Sequence, residues 1–508
     1  MAGSGSSRQW WALAALALAM LTVGLDSTVL TVALPTLAGD LHASTSQLQW
    51  FSDAYTLVLA AVLLPAGALG DQRGRKRLLL AGLALFAAGS LWCAFSGSAD
   101  ALIAARSLLG LGAAIMMPMS LAVLPSIFPD TDQRERAFTI WVTSTAVGLP
   151  LGPILGGWLL ERFWWGSVFL INVPLVVAGA LAVALLVPES RSARRVPADL
   201  IGTLLSSLGL LGLTFGFIRA GQDGFGDAAA LVTLALGIAV LSGFVCWERR
   251  TPHPLVDLGL FSKRWFSWGT AFATTVSFGL FGLLFALPQF YQAVDGTSPL
   301  GTGVRILPMI GGLLVGTRLA ARAVTRAGAR LVVSAGFVLL AAGLAIGSDT
   351  SRTTGYGLMA VWIVLVGAGL GTVLPTAMNA ALGQLPPEQS GAGAALISAL
   401  RQAGSTIGVA VLGTVLISGY HSSLGRYDTP PVSDNVATGV ATAGALRQPD
   451  TLVLVQTAFT HGMNVMLAVT AGICAVAAVL AMVMLPRTRP GASAVEAKIA
   501  LEDGEHVG

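Results

Sequence analysis

Charge is the scarcest resource in this 508-residue chain. Asp, Glu, Lys and Arg make up 11% of it and hydrophobic residues 55%, against about 25% and 45–50% in soluble globular domains. So little polar side chain cannot clothe a water-facing surface, which excludes a soluble protein and leaves an integral membrane protein. Cysteine is also rare: Cys93, Cys246 and Cys474 lie far apart, in or beside apolar runs. An odd count without paired spacing excludes a disulfide framework and a zinc or redox motif. The five histidines, His42, His253, His421, His461 and His506, are scattered through loops, the tail and one span end. No metal centre and no nucleophile triad suggests itself, so the chain is not read as an enzyme. It contains no phosphate-cradling Gly-rich loop, which argues against direct use of ATP. No cofactor is expected. A net charge of +4 gives no reason to invoke nucleic acid.

What the chain has in abundance is long apolar runs. Fourteen are expected to span a membrane, near 10–34, 48–69, 78–96, 101–124, 137–160, 166–187, 200–218, 228–247, 268–290, 301–317, 331–348, 356–380, 393–418 and 461–485. The first follows Arg8 as a signal peptide would, but it is too long, holds Asp26 and has no convincing cleavage site, so it is read as a retained span. With an even span count and the N-terminus inside, most Lys and Arg fall in cytoplasmic segments, Arg73, Arg75, Lys76 and Arg77 and the series Arg318, Arg322, Arg326 and Arg330 among them. Both termini are therefore expected in the cytoplasm. The polar stretch from Gly419 to Thr460 is expected outside, and Glu248 to Arg264 reads as a semi-rigid cytoplasmic linker.

A faint internal repeat relates GALGDQRGR, residues 67–75, to RAVTRAGAR, residues 322–330: each sets basic residues around a Gly at the end of a span. The repeat divides the chain into an N-terminal six-helix bundle (1–187), a linker with two inserted spans (188–267), a C-terminal six-helix bundle (268–485) and a cytoplasmic tail (486–508).

Polar residues inside apolar runs are the candidate functional groups, because ionised groups in hydrocarbon are kept only where a cavity or partner compensates them. Asp26 stands in LDSTVLTVALP, Asp53 in WFSDAYTLVLA and Arg106 in RSLLGLGAA. A cavity carboxylate can take up and release protons. The bland alternatives are an Asp26 satisfied by hydroxyls such as Thr22, and an Asp53 hydrated at the outer mouth. Gly110 shares a helical face with Arg106 and lets a neighbour approach. In GALGDQRGRKR, Gly67 and Gly74 allow close approach and a tight turn, while Asp71 and Arg75 can pair or cap helix ends. In GLPLGPILGGW, Gly148, Gly152 and Gly156 form a smooth stripe beside Gly157, and Pro153 is expected to bend the helix. Phe281, Phe285, Gln289 and Tyr291, with Asn379, are weaker candidates for a substrate cavity.

Together these strings resemble the drug:proton antiporter family with fourteen transmembrane spans, in the major facilitator superfamily. The resemblance extends through GSVFLINVP, DLIG, PLVDLGLF and GAGAALISALRQAGSTIGVAVLG. It implies an all-α polytopic fold of two six-helix bundles plus two inserted central helices. It also implies proton coupling through Asp26, Asp53 and Arg106, a gating loop at residues 67–75 and an antiporter hinge at residues 148–158. The function so implied is export of lipophilic small molecules, cationic ones among them, in exchange for protons, by a monomer in contact with membrane lipid. Ala-, Gly- and Arg-rich usage points to a high-GC bacterium, and so to its inner membrane. A dedicated exporter of one endogenous product and a non-transporting sensor are the competing readings.

Overall fold

The computed structural model describes residues 3–486 except 129, 191–198, 225, 253, 384 and 386. No strand occurs among the described residues. The helices are α1 (Gly3–Asp40), α2 (Thr45–Arg73), α3 (Arg75–Ala94), α4 (Ala99–Ile127), α5 (Thr131–Arg162), α6 (Ser167–Leu170), α7 (Asn172–Leu186), α8 (Leu200–Asp223), α9 (Ala228–Glu248), α10 (Arg264–Gln289), α11 (Pro299–Gly347), α12 (Tyr356–Leu382), α13 (Pro387–Leu424), α14 (Val436–Ala445) and α15 (Pro449–Met484). A π turn, Phe290–Val294, extends α10. Many starts are written in the sequence as caps. Ser44 and Gln47 form a reciprocal capping box at α2, Ser98, Asp130, Asp199 and Asp227 cap α4, α5, α8 and α9, and Ser298 precedes Pro299 at α11.

Eleven of the described helices are long and apolar enough to cross a membrane. Helices α2 and α5 add two crossings despite the charges near their ends. The 49 residues of α11 exceed any bilayer, at about 1.5 Å each. They turn back at Gly328, which sits at φ 81°. Gly312 and Gly316 pack against Val364 and Ala368 of α12, whereas Gly336 and Gly343 pack against Thr372 and Trp362, so the halves of α11 run in opposite directions. Each of the fourteen expected spans thus meets a helical segment. Gly74, between α2 and α3, also has positive φ, 114°. The two glycines of the sequence repeat therefore make the same kind of turn, a conformation that L side chains resist.

The buried apolar residues fall into two large clusters. One runs from Ala12 to Val187 and takes in Phe285, Ala399 and Val409; the other runs from Phe272 to Leu485. Helices α2 and α13 meet along one seam and α5 and α11 along another. Helix α8 lies against both α2 and α13, while α9 packs on α8. Only 11% of the α9 span is buried, against 72% for α1, as expected for a helix facing lipid on most sides.

The stretch Gly419–Thr460, expected outside, is largely helical. Helix α13 continues to Leu424, α14 follows under an Asn435 cap, and α15 starts at Pro449, about twelve residues before the apolar run suggested. Helix α14 is apolar and buries Val436, Gly439 and Ala443.

Candidate functional site

Asp26 lies fully buried on α1. Its Oδ2 accepts from Arg106 Nη1 of α4 at 2.8 Å, and its Oδ1 accepts from Asn172 Nδ2 of α7 at 2.9 Å. The other side of Arg106 is fixed as firmly: Nε donates to the Phe51 carbonyl of α2 at 3.0 Å, and the guanidinium stacks 4.5 Å from the centroid of the Tyr55 ring. Gly110 makes this possible, since a side chain there would run into the Tyr55 backbone. Thr22 bonds the Leu18 carbonyl instead, so the acid is satisfied by an ion pair and an amide. Four helices of the first apolar cluster converge on one charge pair.

Asn172 went unnoticed in the sequence as a functional residue because it sits inside the apolar string GSVFLINVP. Its signal was a lone amide between apolar neighbours. Asp53 is not drawn into this network. It is completely buried, and neither carboxylate oxygen has a hydrogen-bond partner among the described residues. It lies on the face of α2 between Gln49, which donates to the Val409 and Ala410 carbonyls of α13, and Thr56, whose hydroxyl accepts from Thr406 at 2.8 Å. The structure places Asp53 in this seam, away from a hydrated mouth.

Above Arg106 is a cavity of about 20 Å³, lined by Ser27, Leu30, Thr31, Ser52, Tyr55, Thr56 and Arg106 from one side and by Phe281, Phe285 and Val409 from the other. That volume holds about one water. Phe281 and Phe285 thus line this cavity. Gln289 and Tyr291 do not line it: Gln289 bonds the Phe285 carbonyl, and Tyr291 lies in the π turn beneath Arg305, six residues beyond Phe285. Asn379 is exposed in the last turn of α12, outside the cavity lining.

In the loop motif, Gly74 makes the turn, and Arg75 Nη1 donates to the Ala122 carbonyl of α4 at 2.9 Å. Glu189, which the sequence reading did not single out, accepts from Lys76 N at 3.1 Å and caps the start of α3. Among the described residues nothing lies within 4 Å of a side chain built at Gly67, so no described contact there requires glycine. The Asp71 side chain lies outside the described residues. On α5, side chains at Gly148, Gly152 and Gly156 would each strike α1 between Leu21 and Val29, and one at Gly157 would strike the Pro299–Leu300 backbone of α11. Thr28 reinforces the α1 contact by donating to the Leu149 carbonyl at 2.8 Å. Helix α5 continues unbroken through Pro153, whose carbonyl faces Gly303.

Besides the Gln49 and Thr56 bonds within the α2–α13 seam, a second group of hydrogen bonds between the two halves lies at the face opposite the termini. Gln292 donates to the Val32 carbonyl, Leu300 N to Glu161, Thr45 N to the Asp434 carbonyl and Asn435 to the Ala43 carbonyl, at 2.8, 3.3, 2.9 and 2.8 Å. Two helical halves thus meet at one end beside a cavity that both line. Residues 16–409 match the model of the Major Facilitator Superfamily. The chain belongs to this superfamily. It is 37% identical over 441 residues to the multidrug efflux pump LfrA of Mycolicibacterium smegmatis, covering 86% of each chain. It is 32% identical over 492 residues to the tetracenomycin C resistance and export protein of Streptomyces glaucescens, covering 94% of this chain and 91% of that one. Among solved structures, a bacterial homolog of the human lysosomal transporter Spinster, inward-facing and unoccupied, superposes with a TM-score of 0.67 at 15% identity, covering 94% of this chain and 97% of the other. The superfamily's fold is thus shared across low identity. Its members are transporters, and the chain is a multi-pass membrane transporter rather than an enzyme.

Proposed function

We propose that the chain is a proton-coupled exporter of lipophilic drugs or antibiotics, cationic ones among them, acting as a monomer by alternating access. Its setting is the bacterial inner membrane, with both termini cytoplasmic and the proton gradient as the only energy source. The observation that carries this reading is the buried Asp26–Arg106 pair at 2.8 Å, placed beside a cavity that both halves line. The efflux and export functions named for LfrA and for the tetracenomycin C protein support it.

In this reading residues 1–187 and 268–485 rock about the seams, and the closed face opposite the termini is the extracellular one. Protonating Asp26 removes its charge and frees Arg106 from its partner, and deprotonation restores the pair. The ion pair thereby gives the protein two electrostatic states that a cationic substrate can distinguish. Asp53, between α2 and α13, is a second proton site whose occupancy is linked to the seam. A dedicated exporter of one natural product is the second reading, favoured by the similarity to a resistance and export protein for a single compound. A sensor that moves nothing is the third.

The deciding experiment is substrate-triggered proton movement in everted vesicles holding wild type, Asp26→Asn or Asp53→Asn, with cationic, neutral and anionic drugs. The expected result is proton flux against drug in wild type and its loss in Asp26→Asn at equal expression. Normal exchange by Asp26→Asn moves the coupling role elsewhere. Absence of flux for every drug in wild type favours the dedicated exporter or the sensor.

A further inference from the structure

Arg401 is a membrane-level cation to which the mechanism above gives no work. It lies about fourteen residues, or roughly 21 Å, along α13 from Pro387. Its Nε donates to Ser277 Oγ of α10 at 3.1 Å, and its Nη1 lies 3.7 Å from Met378 Sδ of α12. Among the described residues no carboxylate pairs with it, whereas Arg106 has Asp26. Asp53 is not a substitute. It lies opposite the 406–410 stretch of α13, about 10 Å further along the axis, while Arg401 is turned to α10 and α12.

The surroundings of Arg401 are also under-satisfied. The hydroxyls of Thr270 and Thr274 are buried without a partner, and Thr270 is only 2% exposed. Thr270, Thr274, Ser277 and Phe281 share one face of α10 by spacing. That face looks at α13, because Gly404 packs on Thr274 and Arg401 on Ser277. Phe281, one turn beyond Ser277, lines the central cavity. Arg401 is itself partly exposed, so a guanidinium with no carboxylate partner is open to a ligand beside unpaired hydroxyls, and its planar fork suits an oxyanion.

We propose that Arg401, with Ser277 and the free hydroxyls of Thr270 and Thr274, holds an anionic oxygen of the transported molecule, a carboxylate or phenolate, with its apolar skeleton against Phe281. This rests on the exporter reading and extends its substrates to lipophilic acids. An anionic lipid headgroup offers the same chemistry from another source.

The test compares two fluorescent probes of one skeleton, pyrenebutyrate and pyrenemethylamine, binding to the full chain as wild type, Arg401→Gln and Arg401→Lys. The quantity read is the ratio of acid to amine affinity, which loss of fold alone does not shift selectively. The ratio is expected to fall about tenfold or more in Arg401→Gln and to be largely kept in Arg401→Lys, which retains the charge. An unchanged ratio in Arg401→Gln, whether both affinities persist or fall together, overturns the proposal. In proteoliposomes, pyrenebutyrate flux by wild type that Arg401→Gln loses supports a cargo site. Displacement of the acid by phosphatidylglycerol with no acid flux in wild type assigns the site to lipid and overturns the cargo assignment. Ethidium extrusion by wild type is measured alongside. Its absence with a fallen affinity ratio counts against the exporter reading while the anion site stands.

Discussion

At the scale of single residues, the site is a problem of compensating one carboxylate and one guanidinium inside apolar packing. Asp26 has two oxygens and two donors, Arg106 and Asn172. Removing one partner of such a buried pair leaves the other charge uncompensated, at about 3–5 kcal/mol. Arg106→Lys keeps the charge but loses the fork that reaches both Asp26 and the Phe51 carbonyl. Drug-dependent proton flux is expected to fall at least tenfold at equal expression, read by dye dequenching in everted vesicles. Asn172→Leu leaves Asp26 Oδ1 without its donor, which costs about 1–3 kcal/mol. The expected result is a lower thermal midpoint than that of Asn172→Gln, checked by a fluorescence melt in detergent. Asp26 and Arg106 were legible in the sequence because charges in apolar runs are conspicuous. Asn172 was not, since a neutral amide disturbs hydropathy little and declares its role only when α7 brings it against α1.

At the scale of elements, spacing decided what glycine was for. The four-residue period on α5 announced a packing stripe, and the structure shows α1 lying in it. Gly152→Val should drive a side chain into Thr28 and the Leu25 carbonyl. Overpacking of this kind costs about 1–3 kcal/mol or more, so the expected result is loss of ethidium efflux together with a lowered thermal midpoint. The loop glycines divide by the same criterion. Gly67 has open space, so Gly67→Ala is expected to keep efflux within about twofold and to gain about 0.5–1 kcal/mol of helix stability, read by the same melt. Motif membership in the sequence treated Gly67 and Gly74 alike. Only the backbone conformation separates a glycine that turns the chain from one that continues a helix.

At the scale of the whole molecule, the proposed exporter works only if the two seams part. Thr56 of α2 and Thr406 of α13 have hydroxyls 2.8 Å apart, close enough for a disulfide between cysteines at the same positions. In a background without Cys93, Cys246 and Cys474, Thr56→Cys with Thr406→Cys is expected to lose efflux on oxidation and regain it on reduction, followed by ethidium fluorescence. Efflux that continues in fully cross-linked protein would show that transport does not require α2 and α13 to separate. The closed end is reinforced by a part of the chain that hydropathy read as loop. The segment around Asp434 and Asn435 binds the α1–α2 turn, Asp434 through its backbone carbonyl and Asn435 through its side-chain amide.

The sequence by itself determined the solvent, the number of crossings and the identity of the charged residues buried within them. Each of these follows from one-dimensional facts: run length against bilayer thickness, the cost of charge in hydrocarbon, and the four-residue period of a helix face. Tertiary structure alone decided which charges are paired. Asp26 and Arg106 are 80 residues apart and Asp26 and Asn172 are 146 apart, while Asp53 and Arg401 look equally ready to pair and do not. Pairing depends on helix rotation and depth, which are fixed by the packing of glycine faces between distant helices. That arrangement belongs to no single stretch of chain.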